Sequence, residues 1–399
     1  MSHPETLEFR QTISAPLAQV YAAFATSIAL ESWFADVAEV DLHPQGRFYC
    51  WWNVGYYASG LFNAVAENER LELIWNGLGE PHATQVEITF SPENEATLVT
   101  VRHSGIGSGT EWSERVAAYT KGWETGLANL KSVFETGLDR RIYDRPMLGV
   151  MPGSPVDADA VAQLSLPLDY GITLAGVVEG LGAEAAGLQK DDILVSLNRH
   201  ALKGFQDFAL ALRDCKAGDI VEVIYYRQGE EHTVPMTLSH RPIPEMPESA
   251  AALAEATAKV YAEVAAERAA LFVGVSEAQA AARPATKEWS AKETLVHLLY
   301  TERWLHLAIS CAVSGQRAGG FVNQLELIAA MADTYPLEAL LAELDRSEQV
   351  TVASLKALPA DFVADRRQFL GLANSLGQGF ALHTRAHFDQ IKAALEAAK

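Results

Sequence analysis

The chain is poor in cysteine, in basic residues and in long apolar runs, and each shortage excludes something. Its three cysteines, Cys50, Cys215 and Cys311, are odd in number and far apart. That excludes a disulfide framework and a paired-cysteine zinc knot, and makes the reducing cytoplasm the expected compartment. Lys and Arg total 31 against 51 Asp and Glu, a formal charge of −20. No basic stripe is available to neutralise phosphates, so nucleic acid is not an expected partner. About half of the negative charge lies in the first 140 residues without a long acidic run, which reads as a solubilising surface. No apolar run reaches the length of a membrane span, so no membrane partner is expected. Residues Met1 to Glu5 lack the basic patch and apolar stretch of a signal peptide. A Gly-x-Ser-x-Gly nucleophile motif is also missing.

What is present is ample core material, 49% apolar residues in 399. That length suits two or three domains. A helical pattern stops near Arg140–Pro146, and Pro242, Pro244 and Pro247 form an extended linker in which no helix can run. The expected organisation is therefore three domains in series, at 1–140, 145–240 and 250–399, with a Pro-rich linker at 241–249. There is no internal repeat, and alanine is enriched from Ala250 onward, which suits helices.

In the first segment, Leu7–Ile13 alternates as a half-buried strand does. Ser14-Ala-Pro16 opens a helix, with Val20 and Phe24 on one face. Strand-like runs follow at 37–42, 47–54, 59–66, 70–75, 84–90 and 97–103. A long helix closes the segment, with Trp123, Leu127, Leu130 and Phe134 at helical spacing. The order is α+β. Ile13-Ser-Ala-Pro16 with Val20-Tyr21, Glu31-Ser-Trp-Phe34, and Gly122-Trp123 leading to Leu127 and Leu130 resemble the START-like, or SRPBCC, superfamily. Within it they are most similar to the C-terminal domain of the heat-shock-protein-90 ATPase activator family. The resemblance implies a helix-grip fold with an apolar cavity under the long helix, lined by Trp33, Trp51, Trp75 and Trp123 and open to a small apolar ligand. The plainer alternative is that these aromatics are simply core. His43, His82 and His103 show no catalytic or metal spacing and read as strand-end or loop histidines.

In the second segment, Glu184-Ala-Ala-Gly-Leu188, Asp191-Asp-Ile-Leu194, Asn198 and the Ala217-Gly-Asp219 turn resemble a bacterial-type PDZ domain, a mainly-β fold. Asp191 and Arg199 stand where that family commonly has glycine, and Pro152–Tyr170 looks like an insertion. The resemblance implies capture of a peptide C-terminus by strand addition. Met147, Leu148, Gly149 and Val150 would form the capturing loop, and Phe208 and Leu212 the pocket floor. The alternative is that these side chains only close the core.

The third segment reads as helices near 250–271, 290–313, 337–358 and 376–397, an up-and-down four-helix bundle. Ser290 and Glu293 form a capping box. His383 and His387 are four apart and share a helix face, while His297 sits on the apolar run Leu295-Val-His-Leu-Leu299. Three neutral imidazoles converging in a bundle would bind a divalent metal, although an isolated pair at this spacing is a weak signal. Trp289-Ser290 with Glu293 and His297-Leu298, and His383-Thr-Arg-Ala-His387-Phe-Asp-Gln-Ile391, resemble the DinB family. That resemblance implies His297, His383 and His387 as ligands to zinc or nickel. It also implies a low-molecular-weight thiol as the substrate class in several relatives. Glu293 and Asp389 are candidate partners for the imidazole N–H groups, and His306 turns away from the same face. Two functions remain open: a cytoplasmic binding protein with an apolar cavity, a peptide groove and a metal site, or a metal-dependent thiol transferase or hydrolase. Oligomeric state is not legible.

Overall fold

The computed structural model describes residues 5–156, 161, 167, 169–285, 288–320, 324–376 and 378–398. Contacts gather Met1–Leu138 with Pro244–Lys399 into one compact unit, and Asp139–Ile243 into another.

The first unit begins with β1 (Glu5–Ile13), α1 (Leu17–Ala25) and α2 (Ser27–Glu31), followed by six strands. These are β2 (Val37–Val40), β3 (Arg47–Trp52), β4 (Tyr56–Ala66), β5 (Arg70–Gly77), β6 (Thr84–Glu93) and β7 (Ala96–Ile106). They form one antiparallel sheet in the order β1-β7-β6-β5-β4-β3-β2. Burial alternates along each strand, so Val86, Ile88 and Phe90 of β6 face inward. That inner face is covered by α3 (Thr110–Thr136), which buries Trp112, Tyr119, Trp123, Leu127, Leu130 and Val133 at three- and four-residue spacing. The α+β fold class expected from the sequence is thus present. His103 differs from its reading as a strand-end or loop residue, because it lies within β7 and is fully buried. Trp123 Nε1 donates to its Nδ1 at 3.2 Å, and its Nε2 bonds Thr84 Oγ1 at 2.7 Å. Burial lowers its pKa to about 3, so it is a neutral core histidine.

The same unit continues with helices in the C-terminal segment. They are α7 (Ala250–Leu271), α8 (Glu277–Ala281), α9 (Ala291–Val313), α10 (Leu325–Asp333), α11 (Leu337–Lys356), α12 (Ala360–Ala364), α13 (Arg366–Leu376) and α14 (Gln378–Ala397). The long helices α7, α9, α11 and α14 are those the hydrophobic period predicts. The short α8, α10, α12 and α13 fall in stretches read as connections. Leu295–Leu299 of α9 clusters with Leu340 and Leu344 of α11, while Leu305 and Ile309 cluster with Leu355 and Leu358. Hence α9 and α11 run in the same direction, not in the alternating up-and-down order expected from the sequence, because the long connection between them carries the chain back along the bundle before α11 begins. Helical and sheet segments also touch within this unit. Arg367 Nη1 donates to Ser32 Oγ at 2.7 Å, Arg366 Nη1 donates to the Glu135 carbonyl at 3.1 Å, and Arg317 pairs with Glu31.

The second unit holds α4 (Arg140–Tyr143), β8 (Val150–Pro155), β9 (Ile172–Val177), α5 (Gly182–Ala185), β10 (Ile193–Leu197), β11 (His200–Ala201), α6 (Gln206–Ala211), β12 (Ile220–Arg227) and β13 (Glu230–Thr237). The sheet order is β13-β12-β10-β9-β8, with β11 paired to β10. Most of the insertion-like stretch beyond Val156 lies outside the described residues. The two departures from glycine keep a glycine-like backbone, with φ of 70° at Asp191 and 66° at Arg199. Asn198 (φ 48°) and Arg199 form the two-residue turn between β10 and β11, a type I′ geometry that favours glycine at its second position. Arg199→Gly is therefore expected to stabilise this unit by about 1 kcal/mol, the left-handed strain removed. Denaturant midpoints of the full chain would check it, and an unchanged or lower midpoint would refute the strain argument.

Candidate metal centre

The capping box places the first histidine. Ser290 Oγ accepts from Glu293 N at 3.1 Å, and Glu293 Oε2 accepts from Ser290 N at 2.8 Å. This starts α9 at Ala291, so that His297 falls two turns in, on the buried face, with 2% of its surface exposed. His383 and His387 project from α14 one turn apart, the first exposed and the second half-buried.

Structure brings these three histidines together. One ligating nitrogen from each lies within 4.8 Å of the others. His383 Nε2 and His387 Nε2 are 3.2 Å apart, and the His297 ring centroid is 4.6 Å from that of His387 and 5.5 Å from that of His383. Imidazole nitrogens at about 2.1 Å from a shared divalent cation are about 3–3.5 Å from one another. The α14 pair already has that spacing, and the full set needs a ring adjustment of about 1 Å to match it. Partial shielding of the ring, then the neighbouring charge of His387, holds the His383 pKa below the ordinary histidine value. That leaves a lone pair for ligation near neutral pH. The donor set therefore fits a divalent cation. Trp289 closes one side, its ring 5.0 Å from His297 and nearly parallel to His387 at 6.3 Å.

The partners expected for the imidazole N–H groups are engaged elsewhere. Glu293 caps α9 and pairs with Arg283. Burial works to raise its pKa, but the Arg283 and Ser290 hydrogen bonds outweigh it and hold the carboxyl below its usual range. Asp389 is exposed and pairs with Lys392 at 3.0 Å. Gln390, which sequence reading passed over, accepts a hydrogen bond through Oε1 from His387 Nδ1 at 2.9 Å. His306 bonds the Ser347 carbonyl at 3.0 Å, away from the cluster.

The other candidate residues belong to the first sheet domain and to the second unit. Phe24, Trp33, Phe34, Phe48, Trp75 and Trp123 help line a cavity of about 20 Å³ in the first sheet domain. Trp51 does not, because Cys50 beside it on β3 points inward and period two sends Trp51 to the opposite face. Phe34 stacks on Trp123 at 5.1 Å and Trp75 lies 5.8 Å from Trp123, which leaves room for about one water molecule. In the β unit, Met147 bridges to Ser239, and Val150 opens β8, the outermost strand of the sheet order. Gly149 has φ 81°, and a Cβ there would meet Leu181 Cβ at 2.5 Å, so glycine is required. Leu148 is buried in the core, and Phe208 and Leu212 are partly buried against the same cluster.

An α+β sheet domain, a mainly-β domain and a helical bundle with three converging imidazoles define a multidomain protein. Residues 14–135 match the family described as activator of Hsp90 ATPase homolog 1-like protein. Residues 149–238 match the PDZ domain, and 261–387 match the mycothiol maleylpyruvate isomerase N-terminal domain. The chain thus carries an Hsp90-ATPase-activator-like domain, a PDZ domain and a DinB-like bundle. Among curated proteins it is similar to the serine protease Do-like HtrA of Bacillus subtilis, 29% identical over 123 residues, covering 28% of this chain and 27% of that protein. It is also similar to a probable periplasmic serine protease do/HhoA-like of Haemophilus influenzae, 28% identical over 94 residues, covering 24% of this chain and 20% of that one. The chain therefore spans about a quarter of these relatives' length. Similar solved structures include CalU16 from Micromonospora echinospora, at 26% identity and TM-score 0.28, covering 33% of this chain and 75% of that one. Another is the Aha1 dimer from Colwellia psychrerythraea, at 19% identity and TM-score 0.30, covering 33% and 96%.

Among the described residues, no helix is long and apolar enough to cross a membrane.

Proposed function

We propose that this chain is a multidomain binding protein whose bundle holds a divalent cation, zinc or nickel, through His297, His383 and His387. The supporting observation is the convergence of three imidazole nitrogens from two helices to within 4.8 Å. In this reading the PDZ domain takes the C-terminal tail of a protein partner along β8, with the backbone of Met147, Leu148, Gly149 and Val150 receiving the terminal carboxylate. Phe208 and Leu212 offer their partly buried faces to the last side chain. The first domain takes a small apolar ligand only if the walls of its 20 Å³ cavity part. Cytoplasmic residence is proposed from the three free cysteines, although three curated relatives carry periplasmic names. Elemental analysis of the purified chain tests the metal reading. One equivalent of zinc or nickel, removable by chelator and restored on reloading, is expected. Protein that neither retains nor takes up a divalent cation would end it.

A second reading, a metal-dependent thiol transferase or hydrolase, is favoured by graded exposure across the site. His297 is buried, His387 half-buried and His383 exposed, so three donors face one open side. The match of 261–387 to the mycothiol maleylpyruvate isomerase N-terminal domain points the same way. A divalent cation bound there would lower the pKa of a thiol or water and supply a nucleophile near neutral pH. The chain's own part is to hold three neutral imidazoles in place, to wall one side with Trp289, and to leave the His383 side open to solvent. Thiol-dependent turnover of an electrophile panel by the metal-loaded chain, lost in His387→Ala, would establish it. Full metal occupancy with no turnover would leave the binding reading.

A further inference from the structure

One ring nitrogen of His387 meets the donor cluster and the other meets Gln390. A histidine can ligate through either ring nitrogen, and the choice is set by the hydrogen bond at the other. The Nδ1 of His387 lies 2.9 Å from Gln390 Oε1, one turn further along α14. An amide oxygen only accepts, so this contact requires the proton on Nδ1. Nε2 is then the unprotonated nitrogen, and it is the one that lies 3.2 Å from His383 Nε2, within the cluster. Trp289 lies nearly parallel to the same ring, 6.3 Å away at 26°, and restrains it from its face while Gln390 holds its edge. The carboxylates that commonly play this part are committed elsewhere, Glu293 to Arg283 and Asp389 to Lys392.

We infer that Gln390 is a positioning residue: it pins the Nδ1–H of His387 and so presents Nε2 to a divalent cation shared with His297 and His383. The inference rests on the metal reading above. In the cation-free chain it makes a separate statement. With the His387 proton on Nδ1, the proton shared between the two facing Nε2 atoms belongs to His383.

Long-range nitrogen–proton spectra of the histidine rings in the full-length, cation-free protein test this without any metal. Wild type should show His387 as the Nδ1–H tautomer and His383 as the Nε2–H tautomer. Gln390→Leu, which keeps the bulk and removes the acceptor, should move His387 to a tautomer mixture. Zinc titration of the same proteins should show Gln390→Leu binding about 10- to 100-fold more weakly. Gln390→Glu, which restores an acceptor, should return to within a few-fold of wild type. If Gln390→Leu keeps both the Nδ1–H tautomer and wild-type zinc affinity, the inference is wrong while the metal site stands. If wild type binds no zinc, or the three single His→Ala variants bind it as tightly as wild type, the metal reading itself falls and takes the ligation role of Gln390 with it.

Discussion

His383→Ala is expected to weaken divalent-metal binding by about a thousandfold or more, because losing a direct ligand costs more than the 10- to 100-fold typical of an outer hydrogen-bond partner. The exposed His383 is the decisive position, since its replacement removes a donor without opening a hole in the core. His297→Ala should lose the metal equally. It also removes a side chain that is 98% buried, so its effect on metal cannot be read apart from its effect on packing. The same experiment has a stability arm. Metal at a hundred times its dissociation constant should stabilise the wild-type bundle by about 2.7 kcal/mol, and His383→Ala by almost nothing at the same concentration. Isothermal titration with a helix-melting curve reads both. Unchanged affinity in His383→Ala, with the fold intact, would mean that the three rings meet for packing alone.

How much of this was legible beforehand follows from the periods involved. Period-two alternation placed all seven strands of the first sheet to within a few residues, because each has one wet face and one dry one. The same rule, applied residue by residue, would have separated Trp51 from Trp33, Trp75 and Trp123; treating the tryptophans as one set missed that adjacent strand residues face opposite ways. The three histidines were legible because four-residue spacing on α14 and an apolar setting on α9 both survive any detail of packing. Gln390 was not. Its role depends on a side-chain rotamer one turn beyond His387, and acidic neighbours at Glu293 and Asp389 are equally well spaced in sequence. Short helices such as α10 and α13 were invisible for another reason. Segments of about ten residues have little intrinsic helicity and are held by what they pack against.

A buried carboxyl in the bundle core supplies the other large effect. Glu302 is 1% exposed, accepts from Tyr261 Oη at 2.8 Å and from Thr351 Oγ1, and lies near Glu348 and Arg268. Burial, which the two hydroxyl bonds only partly offset, pushes its pKa up to about 7. Below pH ~4.5 the carboxyl is protonated whether the chain is folded or not, and its contribution is complete. Between pH ~4.5 and 7 the unfolded chain releases the proton and the folded one keeps it, so stability falls as pH rises. Over that window the loss is about 3 kcal/mol, and above pH 7 it stays constant. Glu302→Gln has the same shape, still offers an acceptor to Tyr261 and Thr351, and carries no proton to lose. The variant should match wild type near pH 4.5 and exceed it by about 2–3 kcal/mol at pH 8. The quantity to plot is the difference between the two helix-unfolding free energies against pH, since other titrating groups cancel in it. A flat difference would place the Glu302 charge where solvent or Arg268 already stabilises it. A difference that grows toward acid pH would reverse the sign of the argument and make the ionised form the one that holds Tyr261 and Thr351 together.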